Sequence, residues 1–159
     1  MAGEHVPVTG GCLCGAVRFV SGEPPVQGFY CHCGICRKSY GGLYQATVKF
    51  TASAFAFTRG RPRYYRSSGF ARRGFCAACG SPLVFRYAGN PATWVLIGSL
   101  DHPEDWPLTG DATWGRSAHW YVETKVPWHK LDDGLPLHGE APGAAAAQRH
   151  AAAHQTGRP

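Results

Sequence analysis

Cys76-Ala77-Ala78-Cys79-Gly80-Ser81 runs straight into Pro82-Leu83-Val84-Phe85-Arg86-Tyr87, so a close pair of thiols stands at the mouth of a short apolar run. The CxxC spacing lets one turn carry two sulfurs to a single metal ion, and the glycine that follows supplies the backbone freedom of a tight turn. Cys12-Leu13-Cys14-Gly15 has the same form: a cysteine pair, a glycine, then the strand-like Ala16-Val17-Arg18-Phe19-Val20. Two Cys-Gly turns that each lead into a strand read as two halves of one tetrahedral site, with Cys12, Cys14, Cys76 and Cys79 as its ligands. A four-thiolate site is closed to further ligands and is the structural kind.

The chain has seven cysteines, and Cys31-His32-Cys33-Gly34-Ile35-Cys36 holds the other three. A zinc ribbon built from Cys33, Cys36, Cys76 and Cys79 is an alternative grouping, but it separates the two matching Cys-Gly turns. An odd number of clustered cysteines suits metal binding better than a disulfide framework. Cys31, Cys33 and Cys36 therefore make a second site with no fourth cysteine, to be completed by water, by another residue or by substrate. Three protein ligands and one exchangeable position is the catalytic pattern for zinc, and a thiol bound there becomes a nucleophile at neutral pH. An aldehyde is a suitable electrophile.

Neighbouring residues have plainer roles. His32 lies between two ligands, a position that turns its side chain away from the ion. His119 and His129 lack a cysteine or second histidine at ligand spacing and are read as ordinary core or surface residues. Arg37 and Lys38 follow Cys36 directly and are candidates for holding a substrate carboxylate. Trp94, Trp114, Trp120 and Trp128 are read as core or pocket wall.

The remaining apolar runs are short and bounded by Gly, Pro or Ser, as in Gln45–Phe50; Arg63–Arg66, Thr93–Ile97 and His119–Glu123 are further strand candidates. No stretch sustains a helical period over three turns, so the fold class is mainly β: small sheets organised around a structural zinc site, with few or no long helices. Residues 8–139 read as one zinc-binding domain. Residues 140–159 (EAPGAAAAQRHAAAHQTGRP) have no large apolar residue to bury and read as an Ala-rich mobile tail. No apolar run reaches membrane-spanning length and the N-terminus has no signal pattern, which implies a cytoplasmic protein with no membrane partner. The formal net charge of +6 favours anionic partners, but the basic residues are scattered and form no long run.

The three cysteine motifs, Gly10-Gly11-Cys12-Leu13-Cys14-Gly15-Ala16-Val17, Cys31-His32-Cys33-Gly34-Ile35-Cys36-Arg37-Lys38 and Gly74-Phe75-Cys76-Ala77-Ala78-Cys79-Gly80-Ser81, occur in one order. With Gly98-Ser99-Leu100-Asp101, Val126-Pro127-Trp128 and Asp133-Gly134-Leu135-Pro136, the chain resembles the glutathione-dependent formaldehyde-activating enzyme family. The resemblance implies two zinc ions per chain, one structural on Cys12, Cys14, Cys76 and Cys79 and one catalytic on Cys31, Cys33 and Cys36. It also implies glutathione or a similar thiol and a small aldehyde as partners, in a reversible addition of the carbon-sulfur lyase class. The alternative expectation is a non-catalytic zinc-stabilised binding module for nucleic acid or another anionic partner.

Overall fold

The computed structural model describes residues 6–110 and 117–139, and over these the chain is mainly β. Trp114 and the Ala-rich tail lie outside the described residues. Strands β1 (Val8–Gly11), β2 (Arg18–Ser21) and β5 (Phe55–Arg59) form one antiparallel sheet, ordered β1-β2-β5. A wider sheet takes β3 (Gln27–Cys31), β4 (Gln45–Phe50), β6 (Arg63–Arg66), β7 (Ala71–Phe75), β8 (Pro82–Tyr87), β9 (Thr93–Leu96), β10 (His119–Trp120) and β11 (Leu137–His138). Its order is β11-β10-β3-β4-β9-β8-β7-β6, with β10 parallel to both of its neighbours and the other pairs antiparallel.

Strands β4, β6 and β8 coincide with the predicted runs. Strand β2 starts later than expected because the Cys12 N–H donates to the Val17 carbonyl, so residues 16 and 17 close the preceding turn. The predicted strand His119–Glu123 pairs only over its first two residues. Tyr121 takes a left-handed conformation (φ 58°), which ends the extended chain, and Val122–Thr124 follows as a 3-10 turn. The one α-helix among the described residues, α1 (Gly34–Tyr40), is two turns long and too short to show a helical period in the sequence. Cys33 caps its start and Gly41, at φ 69°, caps its end by donating to the Arg37 carbonyl. Among the described residues no helix is long and apolar enough to cross a membrane.

Side chains alternate across a strand, so the register sorts the wide sheet into two faces. Val48, Val84 and Val95 stand opposite one another on one face. With Phe50 they are fully buried, in a core shared with Phe19 and Phe55 of the small sheet. Each such side chain contributes about 1.5–3 kcal/mol by leaving water. The other face carries Phe29, Phe85 and Trp94, with Trp94 stacked on Phe85 at 5.4 Å between ring centres. Cys31 and Gln45 are paired on that same face at the sheet's far end.

Candidate metal centre

Two turns build the first site. Gly15 (φ 75°) and Gly80 (φ 77°) occupy the left-handed region, where a side chain is strained, and each donates its N–H back to the carbonyl of the first cysteine of its motif. These paired turns bring the sulfurs of Cys12, Cys14, Cys76 and Cys79 to within 4.8 Å of one another. Cys12 Sγ lies 3.6 Å from Cys14 Sγ, which lies 3.8 Å from Cys76 Sγ. A tetrahedron with metal–sulfur bonds of about 2.3 Å has edges of about 3.8 Å, so the donor set fits a zinc ion. None of the seven cysteines is in a disulfide.

Polar hydrogens are aimed at these sulfurs. The Val17 N–H donates to Cys12 Sγ at 3.2 Å. Ser81 contacts Cys79 Sγ at 3.1 Å, and its hydroxyl and backbone hydrogen bonds hold the Cys79 thiol down to about 5. The same hydroxyl accepts from Leu13 N–H at 3.1 Å, which ties one turn to the other. The grouping of Cys33 and Cys36 with Cys76 and Cys79 into a ribbon is not what the chain forms.

The second site lies on the opposite face of the wide sheet from the shared core. Cys31 ends β3, Cys33 caps α1 and Cys36 sits in its first turn, with their sulfurs within 4.8 Å of one another. All three are buried, and no His, Cys, Asp or Glu among the described residues adds a fourth ligand atom to the group. Phe29, Ile35, Trp120 and Tyr121 pack around it. Sulfur hydrogen bonds from Cys31 and Cys36 draw the Cys33 thiol down to about 3. The hydrogen bond to Cys33, with burial, pushes Cys31 well above its ordinary value.

Arg73 meets this site from β7. Its Nη2 donates to Cys36 Sγ at 3.7 Å, and its Nη1 donates to Tyr40 Oη at 2.7 Å and to Gln45 Oε1 at 3.3 Å. The guanidinium also lies over the rings of Tyr40 and Phe85, at 5.1 and 5.7 Å from their centres. Three thiolates and a divalent metal carry one net negative charge, which a fixed cation beside Cys36 offsets in a setting of weak screening. Sequence reasoning missed Arg73, reading it only as one of the scattered basic residues.

His32 is fully buried and points away from the thiolates, as its position between them predicts. Its Nε2 lies 2.8 Å from Nδ1 of His119, whose Nε2 lies 2.9 Å from Asp133 Oδ2. Burial, with His119 and His129 close by, holds His32 down to about 4, so it is neutral at pH 7. Arg37 donates to the Thr124 carbonyl at 2.6 Å, and Lys38 is exposed one residue further along α1. Trp94 is core and Trp120 is half-buried beside the second site, whereas Trp128 is 71% exposed and belongs to no core.

The model of a family described as glutathione-dependent formaldehyde-activating enzyme matches residues 7–122. Among solved structures, the crystal structure of a Rhodobacter sphaeroides protein is 27% identical, covers 61% of this chain and 93% of its own, and superposes with a TM-score of 0.46. No curated protein matches. With the family's model matching well over half of its length, and both cysteine clusters assembled within that span, this chain belongs to the glutathione-dependent formaldehyde-activating enzyme family.

Proposed function

We propose that the chain is a cytoplasmic carbon-sulfur lyase that joins glutathione, or a similar thiol, reversibly to formaldehyde or another small aldehyde. The observation that carries this reading is the cluster of Cys31, Cys33 and Cys36: three buried sulfurs, no fourth protein ligand among the described residues, and the Arg73 guanidinium beside them. The two clusters suit two zinc ions per chain, one structural and one catalytic. A zinc ion at the three-sulfur site supplies an exchangeable fourth position and lowers the pKa of a thiol held there.

The protein's own groups do the rest. Cys31, Cys33 and Cys36 leave room for one further donor, and Arg73 offsets the charge that an incoming thiolate adds. Phe29, Ile35, Trp120 and Tyr121 exclude water, which strengthens that electrostatic contribution. For the carboxylates of a glutathione-like thiol the candidate cations are Arg37 and Lys38, on the helix that Cys33 caps. In the addition, the thiolate sulfur attacks the carbonyl carbon, a carbon–sulfur bond forms, and the carbonyl π pair moves to oxygen, which takes up a proton. The reverse reaction breaks that bond and releases aldehyde and thiol.

Cobalt in place of zinc tests the reading. Glutathione should alter the visible spectrum of the three-sulfur site, as its fourth donor changes from oxygen to sulfur. A spectrum that no small thiol alters, with the site shown to be loaded, refutes it.

A further inference from the structure

Between residues 24 and 100 the chain has ten Arg and Lys residues and no Asp or Glu. The register gathers three of these cations into one row. Arg66 on β6 pairs with Arg72 on β7, and Arg72 pairs with Arg86 on β8. Directly opposed residues share a face of the sheet, so the three side chains leave it side by side, with neighbouring Cβ atoms about 5 Å apart. Like charges in that register repel.

Nothing among the described residues neutralises them. Arg66 donates to the Ser68 and Gly69 carbonyls, and Arg72 lies over the Tyr64 ring at 4.8 Å. Among the described residues neither the Arg72 nor the Arg86 side chain makes a hydrogen bond or a salt bridge, and the buried Nε of Arg86 has no partner. The three arginines line an open cavity of about 770 Å³ together with Tyr64, Phe70 and Tyr87, and no carboxylate borders it. Arg72 and Arg73 are consecutive on β7 and leave opposite faces, so this row lies across the sheet from the three-sulfur site. The thiol chemistry therefore does not account for it.

We infer that this row is a second binding site, for a small phosphorylated molecule carrying at least two phosphate groups. Guanidinium groups grip oxyanions in pairs of parallel hydrogen bonds, and three of them side by side match a ligand with several such groups better than a single carboxylate. A cavity of this size with aromatic rings in its wall suits a compact ligand held at one place rather than an extended strand.

Calorimetry of the zinc-loaded full chain with inorganic diphosphate, at low and stated salt, tests the inference. Diphosphate should bind, and Arg72→Gln and Arg86→Gln should each weaken binding by about tenfold or more. Arg63→Gln, on β6 with Arg66 but on the opposite face, should change it by less than about twofold. Zinc content and the unfolding midpoint identify variants that have kept their fold. If Arg86→Gln loses zinc, Arg66→Gln takes its place. Absence of diphosphate binding overturns the inference, as does an equal loss in Arg63→Gln, which would mark a general basic surface. A single-stranded oligonucleotide bound through the same arginines about a hundredfold more tightly than diphosphate also overturns it, in favour of a nucleic-acid surface.

Discussion

His32 Nε2 and His119 Nδ1 are 2.8 Å apart, and the order of protons between them is set from the far end. In a neutral His119 whose Nε2–H donates to Asp133, Nδ1 has only a lone pair to offer, and His32 then donates from Nε2. Replacing His119 by Phe leaves that buried N–H without an acceptor, at a cost of about 1–3 kcal/mol. Asp133→Ala removes a half-exposed carboxylate whose place water can take beside His119, and costs about 0.5–1.5 kcal/mol. Urea unfolding of the zinc-loaded proteins measures both, and His119→Phe is expected to be the more damaging of the two.

Arg73→Met should leave cobalt bound at the three-sulfur site but weaken its uptake of a small thiol by about tenfold, since the incoming charge is no longer offset. Arg73→Lys, which keeps the charge, should recover part of that loss. Imidazole, a neutral donor, serves as the control: an equal loss for imidazole and thiol would show that Arg73 only shapes the site.

Loss of a ligand should have opposite consequences at the two clusters. Cys79→Ala breaks the site that joins the two Cys-Gly turns and should lower Tm by more than about 10 °C. Cys36→Ser should keep most of the Tm, bind one metal ion instead of two, and lose the thiol-dependent cobalt spectrum. Elemental analysis and a thermal scan on the same samples separate these outcomes.

Gly80→Ala should cost about 1–2 kcal/mol, because its left-handed conformation strains any side chain although the space beside it is open. Gly22 has equally open space without a positive φ, so Gly22→Ala should be neutral or stabilising by up to about 1 kcal/mol. Equal effects in denaturant unfolding would contradict the turn geometry at Gly80.

What the sequence makes legible follows from how local the signal is. Gln45–Phe50 and Pro82–Tyr87 carry their apolar character within six residues each, and both strands form where the pattern places them. The four-thiolate grouping is readable because each half repeats the same Cys-Gly ending. Strand β7 is harder to see, since Arg72 and Arg73 sit side by side in its middle and mask the alternation. The contact from Arg73 to Cys36 spans 37 residues, and the one from His32 to His119 spans 87, so neither leaves a spacing to recognise. Trp128 shows the reverse error, an aromatic taken for core or pocket wall that the fold leaves exposed.

The two clusters also differ in what they ask of an unfolded chain. Cys14 and Cys76 are 62 positions apart, so an ion that joins them closes a long loop. By analogy with a covalent cross-link of that length, this removes about 4 kcal/mol of chain entropy from the denatured ensemble. Cys31, Cys33 and Cys36 fall within six residues, and even a disordered peptide can wrap them around a metal. A metal ion at that cluster can therefore bind the unfolded chain too, which offsets part of its stabilising effect. Under metal scarcity the emptying of the long-loop site should therefore cost the fold more than the emptying of the short one.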